Sequence, residues 1–498
     1  MTGSSAGDAL RPTSPTARPL LDVMAAVPGL RLVGSAEGVT VAGCTHDSRA
    51  VRPGDVYAAL PGAHAHGADF AAAALGAGAV AVLTDAAGAE QFPNVPVLVA
   101  DAPRFVLGDV AAWVHGYPAR DLLVLGVTGT NGKTTSAFLM EAGLRAAGHR
   151  TALLGTLTRI EDDLVHKSWI TNPEATDLHA FLAVVRDRGV TAVAMEVSSH
   201  ALSLGRVNGL VLDVAAFTNL SQDHLDFHAS MEEYEAAKAQ LFTPARARRA
   251  VLNCEDPAGR RIVHATTLPI TTYGEDGDWQ AKAVDLRSDG SSFRLAGPGG
   301  EYRAAVRLPG SFNVDNAVCA IATLVAAGIS VEAAVDGVAA APGVPGRMER
   351  VDAGQPFLAL VDYAHTPEAV RTLLAAIRPV VTGRVIAVLG CGGDRDRGKR
   401  PLMAEAAADG ADVVVLTSDN PRSEDPLAIL AEMAPGAPEA TVLPDRREAI
   451  VHAVRTARPG DAVVVAGKGH ETGQEIAGVV TPFDDCLVLR DAVRACLN

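Results

Sequence analysis

Leu122-Leu123-Val124-Leu125-Gly126-Val127-Thr128-Gly129-Thr130-Asn131-Gly132-Lys133-Thr134-Thr135 is the stretch that decides the fold. An apolar run from Leu122 to Val127 reads as a buried strand. A helical pattern follows from Thr134 to about Ala147. Strand, glycine-rich turn and helix in that order make a phosphate cradle: small residues let backbone N–H groups approach anionic oxygens, and the helix start favours negative charge. Lys133 is placed to neutralise the outer phosphates of a nucleoside triphosphate, and the Thr134 hydroxyl to ligate Mg²⁺. The spacing departs from GxxxxGK(S/T), because Gly129 stands three residues before Gly132. The competing reading, a glycine-rich turn with a solvated lysine, leaves the strand-to-helix context unexplained.

Outward from this point, apolar strands alternate with helices. Thr191–Val197 and Val211–Phe217 read as strands in the same block. Phe357–Val361, Val385–Leu389, Val413–Leu416 and Ala462–Ala466 read as strands in a later one, and Val80–Leu83 and Val97–Ala100 in an earlier one. Continuous apolar runs between helices indicate parallel sheets buried on both faces. The turn-rich stretch 341–346 reads as a linker. The expected organisation is a flexible tail over 1–20 and three α/β domains. These are a small domain over 21–105, a central P-loop-type domain with a mostly parallel sheet over 106–342, and a Rossmann-like domain over 343–498.

The chain of 498 residues carries a net charge of −15, which argues against a general nucleic-acid binder. No apolar run is long enough for a transmembrane helix, so no membrane insertion is expected. Six scattered cysteines without a CxxC pair fit reduced thiols and a cytoplasmic setting.

Ligands of such sheets bind at the carboxyl ends of the strands, and several polar motifs lie there. Glu196 ends a strand in Met195-Glu196-Val197-Ser198-Ser199-His200 and is suited to hold a divalent cation. His224 lies in Thr218-Asn219-Leu220-Ser221-Gln222-Asp223-His224-Leu225-Asp226-Phe227-His228, and Lys238 in a helical pattern from Met231. In the last block, Asp362–Pro367, the charged glycine-rich loop Gly390–Pro401, Thr417-Ser418-Asp419-Asn420-Pro421-Arg422 and Gly467-Lys468-Gly469-His470-Glu471 stand next to strands. Spacing alone leaves each of these open to a plain structural role.

Taken together, Gly129–Thr135, the Thr218–His228 string, Leu308-Pro309-Gly310-Ser311-Phe312-Asn313-Val314-Asp315-Asn316 and Asp419–Arg422 resemble the Mur ligase family over almost the whole chain. The resemblance implies an ATP-dependent ligase that activates a carboxylate as an acyl phosphate for attack by an amine. It implies that Thr128, Gly129, Thr130, Asn131, Gly132, Lys133, Thr134 and Asn313 bind ATP, with Asn253 and Asp256 near the adenine. Thr134, Glu196 and His224 would hold Mg²⁺. Lys133, His224 and Lys238 would be catalytic, Lys238 as a carbamylated lysine. Thr45-His46-Asp47-Ser48-Arg49 resembles a uridine-binding element, so Ser48 and the loop with Ala63, His64 and Ala65 would contact a UDP-sugar. Thr171, Asn172, Ser198 and Arg206 would contact a UDP-N-acetylmuramoyl dipeptide, while Leu204 stands where some relatives have a polar residue.

The Asp419–Arg422 motif resembles that of ligases adding meso-diaminopimelate, which implies Arg395, Asp419, Asn420, Pro421, Arg422, Gly467 and Glu471 as amino-acid contacts. L-Lysine lacks the distal carboxylate that Arg422 would meet. The alternatives are a sister ligase adding lysine or another amino acid, a folylpolyglutamate synthase, a UDP-sugar-binding P-loop ATPase, and a non-enzymatic UDP-sugar binder. A monomer acting on small molecules in the cytoplasm is expected.

Overall fold

The computed structural model describes residues 11–62, 64–92, 94–160, 163–167, 171–225 and 227–497. Three α/β domains follow one another, each built on its own sheet. The first sheet has the spatial order Arg31–Val33, Val97–Val99, Ala81–Thr84, Asp55–Ala58, Gly43–Thr45, parallel except for its first strand. Buried side chains cover both of its faces. The helix Pro103–Val114 sinks Leu107, Val110 and Trp113 into this core. A boundary at 105 therefore cuts through that helix, and the first unit extends past it. Part of the expected tail is also anchored. Arg11 lies buried with its guanidinium 2.6 Å from Asp55, and Arg18–Pro19 pairs with Thr40–Val41.

The central sheet runs Asp163–Lys167, Leu157–Ile160, Thr151–Leu154, Ala192–Glu196, Leu123–Thr128, Val214–Phe217, Ala250–Asn253, Ile270–Tyr273. It is parallel from Thr151–Leu154 onward, with an antiparallel edge at the other end. The strand expected to start at Val211 begins at Val214, because Val211 lies outside the sheet and is exposed. Leu123–Thr128 lies between Ala192–Glu196 and Val214–Phe217, so three strand ends converge on one edge. The helices Lys133–Ala146 and Ser311–Ala326 pack together over one face. A three-stranded antiparallel meander, Gln280–Val306, is appended to this domain.

The last sheet runs Glu349–Arg350, Leu358–Asp362, Ala462–Ala466, Val385–Leu389, Val413–Leu416, Thr441–Val442, parallel except for its first strand. Val385–Leu389, Val413–Leu416 and Ala462–Ala466 are continuous apolar runs because helices bury both faces. The carboxyl ends of these strands carry Asp362, Gly390, Thr417 and Gly467. Among the described residues, no helix is long and apolar enough to cross a membrane.

Candidate active site

The loop after Leu123–Thr128 is held open by two glycines in conformations that L side chains rarely adopt. Gly129 has φ 151° and Gly132 φ 86°. A Cβ on Gly129 would collide with the Thr218 hydroxyl, and one on Gly132 with Asn316 Oδ1. The next strand end braces the loop from its side. Asn219 accepts from Thr130 N–H at 2.8 Å and from Asn131 N–H at 3.0 Å, and the Thr218 hydroxyl donates to Asn131 O at 2.6 Å. Lys133 folds back over the loop and donates to Gly129 O at 2.9 Å and Thr130 O at 2.8 Å. Thr128 is fully buried, and its hydroxyl has no hydrogen-bond partner.

Thr134, at the helix start, donates its hydroxyl to Glu196 Oε2 at 2.9 Å. Glu196 is buried, and its other oxygen accepts from Thr156 N–H at 2.9 Å and Thr156 Oγ1 at 3.0 Å. Two hard oxygen donors thus converge beside the cradle, as Mg²⁺ prefers. Among the described residues no three His, Cys, Asp or Glu side chains gather as a metal cage.

Lys238 is buried, and its ammonium donates to Gly129 O at 2.8 Å, the same carbonyl that Lys133 uses. It lies 4.3 Å above the Tyr234 ring. Burial, then the neighbouring Lys133 charge, hold its pKa well below the usual lysine value. Burial lowers the Lys133 pKa too, against the pull of Glu196 and Asp223. His224 has φ 55° and packs edge-on to His200 at 4.7 Å and to Tyr234 at 6.0 Å. Tyr234 Oη lies 3.2 Å from Thr130 Oγ1, which ties this cluster to the cradle. Burial takes the His224 pKa down to about 4, so the ring is neutral at pH 7.

The third domain reaches the same cradle. Arg347 donates to Thr134 Oγ1 at 3.1 Å and stacks 4.5 Å from the Tyr363 ring centre. His365 lies close enough to Asp223 and Arg347 to feel their charges. Its Nδ1 is 2.9 Å from Tyr363 O, and burial and Lys399 lower its pKa. Sequence reading missed Arg347, because a lone arginine after a linker gives no local signal.

Farther along the third sheet, Asp419–Arg422 and Gly467–Glu471 meet. Asn420 Nδ2 donates to Glu471 Oε2 at 2.7 Å. Arg422 has φ 53°, donates NH1 to Gly393 O at 2.6 Å, and pairs its backbone with Glu475 and Ala477. A Cβ on Gly392 would meet Arg422 at 2.9 Å and Arg395 at 3.9 Å, so both arginines line one loop. Asp419 is buried, and one of its carboxylate oxygens lies 2.6 Å from where a Cβ on Gly467 would sit. Pro421 is buried beneath the Gly393 turn. Beneath these loops, Arg446, buried and paired with Asp485 at 2.6 Å, donates to Ser418 O at 3.3 Å and Ala466 O at 2.9 Å, fastening the two strand ends together.

The remaining candidates are spread more widely. Asn172 is fully buried and turned inward. It donates to Glu196 O at 2.6 Å and accepts from Ser198 N–H at 2.9 Å and Ser198 Oγ at 3.0 Å. Its amide thus places Ser198 and the Glu196 strand end. Thr171, half-buried, precedes it. Arg206 donates to Glu174 Oε1 at 2.9 Å, a carboxylate it shares with Arg104. Asn313 is buried, bonded to Pro309 O at 2.8 Å and accepting from Asn316 at 3.1 Å. Asn253 donates to Thr218 O at 2.8 Å, and Asp256 caps the helix Pro257–Ala265. In the first domain Ser48 lies beside the Tyr57 hydroxyl, and His64 and Ala65 are exposed. His46 Nδ1 lies 3.2 Å from Thr176 Oγ1 of the central domain. Ala63 lies outside the described residues.

An anion cradle facing a buried carboxylate, with basic side chains closing from another domain, is the arrangement of phosphoryl-transfer enzymes. Comparison with known proteins narrows the class. Residues 40–116 match the Mur ligase family catalytic domain, 127–324 the Mur ligase middle domain, and 346–469 the Mur ligase glutamate ligase domain. A UDP-N-acetylmuramoyl-L-alanyl-D-glutamate–2,6-diaminopimelate ligase of Streptomyces coelicolor is 55% identical over 500 residues, 97% of this chain and 98% of the relative. The protein of that name from Corynebacterium glutamicum is 45% identical over 510 residues, 96% and 97% of the two chains. A solved structure of a UDP-N-acetylmuramoyl-L-alanyl-D-glutamate–2,6-diaminopimelate ligase aligns with TM-score 0.67 at 37% identity, over 92% of this chain and 96% of that one. A D-alanyl-D-alanyl-adding ligase of Acinetobacter baumannii, at 19% identity and TM-score 0.65, shares the fold. The chain belongs to the Mur ligase family and is an ATP-dependent ligase that forms amide bonds.

Proposed function

We propose that this ligase adds meso-2,6-diaminopimelate to the D-glutamate carboxylate of UDP-N-acetylmuramoyl-L-alanyl-D-glutamate in peptidoglycan synthesis. The observation that carries this reading is Arg422, held against the Gly392–Gly393 turn that the Arg395 stem also flanks, on a loop locked to Glu471 through Asn420. The Arg422 guanidinium suits a distal carboxylate, and the Asn–Glu pair suits the ammonium beside it. Full-length relatives bearing that ligase name support it.

Thr128–Thr134 would cradle the ATP phosphates, with Asn313 shaping the adenine side through its neighbours. The dipeptide carboxylate attacks the γ-phosphorus, ADP departs, and an acyl phosphate forms. The amine of diaminopimelate then attacks the acyl carbon, inorganic phosphate leaves, and the amine proton is lost. Lys133 and Arg347 offset the repulsion between two anions and hold them in line. Thr134, Glu196 and His224 would hold Mg²⁺, which when bound supplies further charge neutralisation at the phosphates. A neutral Lys238 amine is the form that adds CO₂. The amine bonds to the CO₂ carbon and releases one proton, and the carbamate so formed sets an anion beside the Lys133 ammonium, where the two lysine nitrogens otherwise share Gly129 O.

Ser48 and the Ala63–Ala65 loop would take the uridine diphosphate. Thr171, Ser198 and Arg206 would take the dipeptide, with Asn172 placing Ser198. We place the domain limits near 115 and 342, and the enzyme in the cytoplasm as a monomer. The test is phosphate release with each substrate omitted in turn. Release that requires ATP, the UDP-linked dipeptide and diaminopimelate together supports the ligase. Release without an amine supports a UDP-sugar-binding ATPase instead.

A further inference from the structure

We propose that Lys468 is a positioning residue for the incoming amino acid, its ammonium fixing the Asn420 amide and the Glu471 carboxylate from beneath. This rests on the diaminopimelate reading above. Lys468 was passed over in the sequence, where Gly467 and Glu471 of the same turn stood out. Its side chain is fully buried, whereas its ion-pair partner Glu471 is 29% exposed. The ammonium donates to Asn420 Oδ1 at 3.0 Å and to Glu471 Oε2 at 3.0 Å. Both partners are residues of the amino-acid site.

The geometry settles which way the Asn420 amide faces. Its Oδ1 also accepts from Glu475 N–H at 3.0 Å. An ammonium and a backbone N–H can only donate, so the atom between them must be the oxygen. Turning the amide over would set its NH₂ against both donors. With the oxygen fixed, Nδ2 necessarily faces Glu471 and donates to Oε2 at 2.7 Å. Glu471 therefore receives two donors on one oxygen from within the protein, while its side chain stays partly exposed. Glu475 belongs to the hairpin Gly473–Pro482, whose backbone also pairs with Arg422. Lys468 thus links the group that would meet the ammonium of the amino acid to the strand that holds the group meeting its carboxylate. A buried ammonium is costly unless its partners are well placed, and here the partners are the amino-acid site itself.

The test uses the full chain and steady-state phosphate release, varying each substrate in turn. Lys468→Met, which keeps the stem and removes the charge and donors, raises KM for meso-diaminopimelate by roughly 10–100-fold. KM for ATP and for the UDP-muramoyl dipeptide stays unchanged. Lys468→Arg recovers part of the loss, and Lys468→Met added to Asn420→Ala costs less than the sum of the two. Should Lys468→Met lose its cooperative thermal transition, Lys468→Arg and Asn420→Ala carry the test through the same split between substrates. A diaminopimelate KM left at the parent value, or all three KM values rising together, overturns the assignment. A parent protein that turns over with no diamino acid overturns the diaminopimelate reading, and this one with it.

Discussion

Arg422→Ala separates amino-acid selection from the rest of the reaction. Residue 422 sits at φ 53°, and its backbone N–H and C=O are paired with the hairpin at Glu475 and Ala477. Alanine at that φ pays a steric cost similar to the one arginine already pays, so the loop keeps its shape. The change removes the guanidinium and its 2.6 Å bond to Gly393 O. A charge-assisted pair with the distal carboxylate contributes about 1.5–3 kcal/mol, so kcat/KM for meso-diaminopimelate falls roughly 10–100-fold. L-Lysine has no distal carboxylate and loses nothing comparable. The assay follows product mass with each amino acid at several concentrations, so the ratio of the two kcat/KM values is read directly. An equal fall for both amino acids, or an unchanged ratio, refutes the role given to Arg422.

Three further outcomes follow from the same geometry. Glu196→Gln keeps the shape against Thr134 and Thr156 but removes the charge, so kcat falls roughly 10²–10³-fold with little change in Tm. A variant of unaltered kcat refutes its role. Protein exposed to ¹³C-labelled bicarbonate shows a carbamate carbon resonance that disappears in Lys238→Arg; a resonance that persists places the label elsewhere. His115 and His179 are buried, and burial takes their pKa values down to about 3 and about 4. Unfolding lets each bind a proton near pH 6.5, so the stability of the neutral rings is complete above that pH and is lost as pH falls toward 4. The loss is on the order of a few kcal/mol for the pair, and His179→Gln flattens the decline of Tm between pH 6.5 and 4.5. Parallel declines for parent and variant contradict it.

What was legible in the sequence shares one physical cause. Val385–Leu389, Val413–Leu416 and Ala462–Ala466 lie between two layers of helices, so every residue is apolar and the strand announces itself. The cradle was legible because glycine spacing and a following helix are local features. The meander Gln280–Val306 was not, because its first strand is mostly exposed and reads as polar linker. Arg347 acquires its meaning from a threonine 213 residues away, and Lys468 from an asparagine 48 residues away. Neither partnership leaves a trace in spacing. The Arg11–Asp55 contact defeated composition in the same way, because one ion pair anchors a segment otherwise rich in Pro, Ser and Thr.

The central claim is that one cleft joins a peptide carboxylate to a diamino acid at the expense of ATP. Its most direct measurement is mass spectrometry of the nucleotide-sugar product after incubation with ATP, Mg²⁺, UDP-N-acetylmuramoyl-L-alanyl-D-glutamate and meso-diaminopimelate. The account requires a product heavier than the dipeptide precursor by one diaminopimelate less one water, formed with one ADP per molecule. ADP formation that leaves the precursor mass unchanged contradicts it.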